Sequence, residues 1–144
     1  GGIATGRQML AAMVLGAEGV QMGSRFVASE EASSHPAFKK AVLDAHEGDT
    51  VLTMKQLTPV RLIRNKFYEA VKNAEERGAG VDELKALLGR GRAKKGMMEG
   101  NLEEGELEVG QVSALLDRIL PAKDIVKKVW EEFTAALSNP VGML

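Results

Sequence analysis

The sequence predicts an α/β chain, the C-terminal part of a TIM (β/α)8 barrel with an appended helical segment, and three observations predict it. The turns Gly1-Gly2 and Gly23-Ser24 bracket an amphipathic stretch and a short apolar one, and Gly2 and Gly23 lie 21 positions apart, the length of one helix–strand unit. Barrels of this kind hold a phosphate between the loops after strands 7 and 8 and the N-terminus of a short extra helix, which demands backbone N–H groups unobstructed by side chains. From Asn65 onward the chain changes to charged helical segments broken by glycine. A complete barrel takes roughly 250 residues. The 144 residues therefore read as its end, residues 1–46, followed by a mainly helical segment, 47–144.

Taken in order, Thr5 is placed to cap a helix from Arg7 to Leu15, in which Met9, Leu10, Met13 and Val14 share a face; Gly16 ends it. Val20-Gln21-Met22 is too apolar to face water on one side and reads as a buried parallel strand, the eighth of the barrel. A polar stretch breaks the pattern, and Pro36 starts a helix through Ala45, striped by Phe38, Ala41 and Val42, that closes the barrel. Thr50–Thr53 and Val60–Ile63 are extended segments forming a small hairpin outside it. Helices follow at Lys66–Arg77, with Phe67, Ala70, Val71 and Ala74 inward, and at Val81–Leu88, with Leu84, Leu87 and Leu88 buried; Gly78 and Gly89 stop them. Arg92–Met98 is a short helix leading into the polar loop Glu99–Gly105. Val112, Leu115, Leu116 and Ile119 pack the stretch before Pro121, and the last helix, Ala122–Leu137, aligns Ile125, Val129, Trp130 and Phe133.

A formal net charge of −1 lacks the strongly basic footprint of a nucleic-acid binder. No apolar run approaches the roughly 20 residues of a membrane span, and no signal peptide is visible. The absence of cysteine excludes disulfides, thiolate catalysis and cysteine metal sites, and a cytoplasmic setting fits.

The candidate site is Gly1, Gly2, Gly23 and Ser24, with Gln21 and Met22 ending the strand at its rim. A side chain at any of the three glycines would hold phosphate oxygens off the backbone N–H groups, and Ser24 adds a hydroxyl donor. Turn punctuation competes as an account of either glycine pair alone; both pairs at this spacing favour the phosphate. Arg25 either neutralises that phosphate or makes a salt bridge on the rim. His35, before Pro36, reads as an extended surface residue, and His46 as a helix-end residue favoured by the helix dipole. No pair has metal-ligand spacing, so no metal site is expected. Arg90, Arg92, Lys94 and Lys95 lack the aromatic interleaving of a nucleic-acid site and read as a solvated helix start. Met97 and Met98 are core by default. Glu103, Glu104, Glu106 and Glu108 lack the ligand order of a calcium loop and read as a solvated acidic loop.

The run from Gly1-Gly-Ile-Ala-Thr-Gly to Gly23-Ser-Arg-Phe26, with its continuation His35-Pro-Ala-Phe-Lys-Lys40, resembles the C-terminal half of the nitronate monooxygenase (2-nitropropane dioxygenase) family, which includes the flavin-dependent type II enoyl-acyl-carrier-protein reductases. The first loop alone is shared with other phosphate-binding barrels such as inosine-monophosphate dehydrogenases. The Ser-Arg-Phe ending, the His35 continuation and the tail segments Gly89–Gly100 and Gly105–Ala114 are more specific, and the likeness covers essentially the whole chain.

The resemblance implies FMN as cofactor, with its terminal phosphate at the Gly1/Gly23 site. It also implies a catalytic histidine upstream of Gly1, where strands 1 to 7 and most of the substrate pocket belong. No catalytic residue is then expected in this chain, and the chain alone is expected to be inactive. The leading activity is oxidation of alkyl nitronates by dioxygen. The alternative is enoyl-acyl-carrier-protein reduction with NADH or NADPH, and a reading from another class is a non-catalytic helical interaction module without affinity for FMN. A reductase docks an acidic carrier protein and benefits from a basic rim. Arg61, Arg64, Lys66, Arg90, Arg92, Lys94 and Lys95 could supply one, but Glu99, Glu103, Glu104, Glu106 and Glu108 dilute its field, which favours the monooxygenase.

Overall fold

In the computed structural model, which describes residues 2–140, the chain runs α1 (Gly6–Val14), α2 (Ser24–Val27), α3 (Pro36–Leu43), β1 (Thr50–Thr53), β2 (Val60–Ile63), α4 (Lys66–Glu76), α5 (Val81–Leu88) and α6 (Ala122–Ser138). A π-type turn at Lys94–Met98 and a 3₁₀ turn at Gln111–Leu115 lie between α5 and α6. Among the described residues no helix is long and apolar enough to cross a membrane.

Helix α1 begins on a reciprocal cap. The Thr5 hydroxyl accepts the Gln8 N–H at 3.2 Å, while Gln8 Oε1 accepts the N–H groups of Ala4 at 2.8 Å and Thr5 at 3.2 Å. The helix then crosses α6 at backbone contact distance: a Cβ on Gly6 would lie 2.2 Å from both Val129 O and Phe133 N. Glu132, on the same turn of α6, accepts the Gly6 N–H on Oε2 at 2.8 Å.

The tail explains its glycines in the same way. A Cβ on Gly105 would lie 2.1 Å from the Gly96 Cα, and one on Gly96 would lie 2.5 Å from Glu106 O. Asn65 ties this clasp to α4, accepting the Tyr68 N–H at 2.9 Å and donating from Nδ2 to the carbonyls of Leu102 and Gly105, each at 2.8 Å. The β1–β2 hairpin is antiparallel, Thr50 facing Ile63 and Thr53 facing Val60. Residues 107–109 extend it, Ile63 N–H donating to Leu107 O and Val109 N–H to Arg61 O. One core unites both ends of the chain: Ala4, Ala28, Phe38 and Val42 pack with Leu107, Val109, Val112 and Leu116. A second gathers Met54, Leu62, Phe67 and Val71.

The architecture is thus mixed helix and strand, and several expectations need correction. Val20–Met22 is not a strand; none of its N–H groups enters a backbone hydrogen bond among the described residues. A parallel strand exists only through its neighbours' bonds, and no such neighbour lies among these residues. The stripe of α1 is only partly covered for the same reason: Met9, Leu10 and Met13 are half-buried and Val14 is 76% exposed. Trp130 is 58% exposed on α6, although it stacks on Phe133. In α4 the exposed Ala70 yields its expected inward place to Tyr68, and Leu115 and Ile119 face outward. The acidic stretch is not uniformly solvated either. Residues 106–109 run extended along β2, so their side chains alternate, and Glu106 is only 5% exposed.

Two outcomes follow for stability. Gly6→Ala is expected to cost about 3 kcal/mol, because both atoms it meets are backbone. Gly80→Ala, at φ −80° with nothing within 4 Å, should stay within about 0.5 kcal/mol of the wild type. Equal urea midpoints for the two would contradict the crossing. Burial pushes the Glu106 carboxyl up to about 7, Glu108 adds repulsion and Arg92 offsets part of it. A carboxyl raised above its ordinary 4.5 binds its proton more tightly in the folded state, so its contribution is full below pH 4.5 and lost as pH rises through 7. Glu106→Gln should therefore gain about 1–3 kcal/mol on the wild type between pH 5 and pH 8; parallel pH–stability profiles would show that the carboxyl is solvated.

Candidate functional site

Of the six expected site residues, Gly1 lies outside the described residues. Gly2 has φ +78°, a left-handed conformation that favours glycine whatever surrounds it. Gly23 is different. Its φ of −90° and ψ of −63° suit any residue, and an added Cβ would meet nothing within 4 Å. Neither strain nor packing within the chain calls for glycine there. The missing side chain leaves open space directly before α2, whose first N–H groups have no intrahelical acceptor and no side-chain cap. Ser24 opens this short helix. Its Oγ accepts the Gly110 N–H at 2.9 Å, and the hydroxyl hydrogen remains available to donate.

The same corner joins the two glycine turns. Gly110 approaches so closely that a Cβ on it would sit 2.9 Å from Ser24 Oγ. The next residue, Gln111, lines a broad cleft of mixed polar and apolar character with Gly2, Gln8, Thr50, Arg61, Val112 and Leu115. Gln21 is exposed beside these loops, whereas Met22 turns into an apolar groove with Met9, Val20, Phe26, Val126 and Trp130. Helix α1 offers an anion little, because the N–H groups of Ala4, Thr5, Gly6 and Gln8 are already taken by Gln8, Glu132 and Thr5. The open donors of a phosphate site are therefore those of α2 and of the loop around Gly2.

Arg25 takes neither of its two expected roles. It is 5% exposed, and Nη1 donates to the Arg118 carbonyl at 3.1 Å instead of reaching over the loop. Desolvation lowers its pKa, with Asp117 and Glu132 nearby opposing the shift. Arg61, expected on a docking rim, is half-buried in the cleft, Nη1 donating to Thr50 O at 2.8 Å and Thr50 Oγ1 at 3.3 Å. His35 has the expected extended backbone, yet it is half-buried: its Nδ1 caps α3 by accepting the Ala37 N–H at 3.1 Å, and its ring packs on Gly100. His46 is exposed, 3.6 Å from Asp49 and beyond the end of α3. Met97 joins the core and Met98 is 45% exposed.

Gly110, Gln111 and Glu132 escaped the sequence reading as site residues. The Gly110-Gln111 pair, set between apolar Val109 and Val112, carried a turn signal; Glu132 carried none, because its role depends on a helix crossing.

The family model described as Nitronate monooxygenase matches residues 1–132. The putative monooxygenase Rv1533 of Mycobacterium tuberculosis is 32% identical over 154 aligned residues, covering 100% of this chain and 40% of that protein. Among solved structures, FabK from Thermotoga maritima is 39% identical at a TM-score of 0.90, covering 100% of this chain and 46% of FabK. Nitroalkane oxidase from Streptomyces ansochromogenes is 28% identical at a TM-score of 0.73, covering 96% and 39%. The chain thus spans less than half the length of each of these proteins. Matched by the family model over nearly its whole length, the chain belongs to the nitronate monooxygenase family.

Proposed function

We propose that this chain is the phosphate-binding part of an FMN-dependent oxidoreductase, completed by a longer protein into a (β/α)8 barrel acting in the cytoplasm. Gly1, Gly2, Gly23 and Ser24 would hold the FMN phosphate, with Gln21 and Met22 beside it. The carrying observation is Gly23, a glycine that neither its dihedrals nor its neighbours require, standing before an uncapped first helical turn. FMN, when bound, supplies the electron-accepting ring. The chain's own residues bind and orient: backbone donors and the Ser24 hydroxyl fix the phosphate, and Gly110 fixes Ser24. The general base, a histidine, would come from the part upstream of Gly1, so these 144 residues would be inactive alone.

Between the two activities, the charge balance of the rim favours oxidation of alkyl nitronates by dioxygen. Lys66 pairs with Glu103 at 2.5 Å, Lys94 with Glu99 at 3.6 Å and Arg92 with Glu104 at 3.9 Å. Those pairs cancel, locally, the basic field that an acidic acyl carrier protein would seek. Enoyl reduction with NADH or NADPH is the second reading, supported by the likeness to FabK.

In the full-length protein, Gly23→Val is expected to weaken FMN at least tenfold while leaving riboflavin, which has no phosphate, within twofold. Unchanged FMN affinity would remove the phosphate from this loop, and a protein that stays colourless in excess FMN would favour the non-catalytic reading. For the activity, full-length protein should consume oxygen with an alkyl nitronate. Flavin reduction by NADH or NADPH and reoxidation by an enoyl thioester, without nitronate turnover, would reverse the choice.

A further inference from the structure

Arg25 is only 5% exposed, and the guanidinium nitrogens that lack a protein partner keep a sliver of accessible surface. A guanidinium carries five N–H donors, and the described residues provide one hydrogen bond, to Arg118 O. The nearby carboxylates do not close the gap. Asp117 is engaged by Arg118, at 2.9 Å to Nε and 2.5 Å to Nη2. Glu132 gives Oε2 to the Gly6 N–H and holds Oε1 4.0 Å from Lys128, and it makes no direct ion pair with Arg25. Between them lies a cavity of about 30 Å³, lined by Arg25, Thr5, Asp117, Lys128 and Glu132 among others. A space of that size holds one water, and its walls are polar enough to keep one.

We propose that a single ordered water in this cavity bridges the Arg25 guanidinium to the Glu132 carboxylate, and that the two are positioning residues for the phosphate site. Glu132 already fixes the start of α1, which carries the Gly2 loop; through the water it also fixes Arg25, on the first turn of α2. One carboxylate on α6 thereby sets the two glycine loops relative to each other. The bridge follows from burial and cavity size; its effect on the cofactor rests on the FMN reading above.

The test uses the full-length protein and the variants Glu132→Gln, Arg25→Met, Arg25→Lys and the double Glu132→Gln/Arg25→Met. Dissociation constants are measured for FMN and riboflavin, and urea midpoints for the proteins without flavin. Glu132→Gln and Arg25→Met should each weaken FMN about tenfold with riboflavin within twofold. The double variant should be no weaker than either single one, and Arg25→Lys should recover most of the loss. Equal losses for FMN and riboflavin, or losses in the double variant that multiply, would overturn the positioning role. Failure of the FMN reading looks different: the wild type would then bind FMN no tighter than riboflavin, and Gly23→Val would change nothing. The positioning role would fall with it, and the urea midpoints would still judge the bridge, coupling between the two substitutions supporting it and strict additivity refuting it.

Discussion

The contact on which the rest depends is the crossing of α1 and α6 at Gly6. There the two helices touch backbone to backbone, and a Glu132 carboxylate 126 positions away closes the first turn of α1. Helix pairs usually stand 8–10 Å apart because side chains separate them. Removing the side chain at Gly6 brings the axes closer and lets a carboxylate reach an N–H that would otherwise need water. Residues 2–5, including the turn around Gly2, are held by that contact together with the packing of Ala4 in the core.

A second set of close approaches serves the other side of the site. Gly96 against Gly105, and Asn65 across to Leu102 and Gly105, make the tail a rigid bracket. The bracket leads along β2 into Gly110, which rests on Ser24. Lys39 completes the frame from the α3 side: its buried ammonium donates to the Ser29 and Glu30 carbonyls at 2.6 Å and 3.1 Å, just past α2. Among the described residues the hydrogen bonds of this ammonium go to carbonyls, with the Glu31 carboxylate acting on it electrostatically, and so costly a burial argues that this loop's shape matters. The candidate site is therefore two glycine turns framed by close backbone approaches and buried hydrogen bonds.

How legible this was depended on where each residue finds its partners. Thr5, Pro36, Gly78 and Gly89 act through neighbours within a few positions, as does the Asn65 cap on Tyr68, and the helices and hairpin they delimit are readable from spacing, whereas the reach of Asn65 to Leu102 and Gly105 is not. Val20–Met22 could not be settled that way, because apolar composition describes a buried strand but not whether a neighbouring strand is at hand. Arg25 misled for a related reason: adjacency in sequence to the candidate glycine turn says nothing about which way the side chain leaves a helix. Glu106 misled through its company of carboxylates, since alternation along an extended segment puts it on the opposite side from Leu107. For the site, glycine placement was visible and Glu132 was not, because a helix crossing has no local signature.

The crossing at Gly6 also sets an order of events during synthesis. A ribosome adds roughly 5–20 residues per second, so Glu132 leaves it several seconds or more after Gly6. Until α6 exists, the turn ahead of α1 has its Thr5–Gln8 cap but neither its helix neighbour nor its carboxylate. Contacts so distant along the chain form late, since loop closure must precede them. On this account the turn around Gly2 reaches its folded geometry only after α6 has been made, and a ligand that needs that geometry must wait for it.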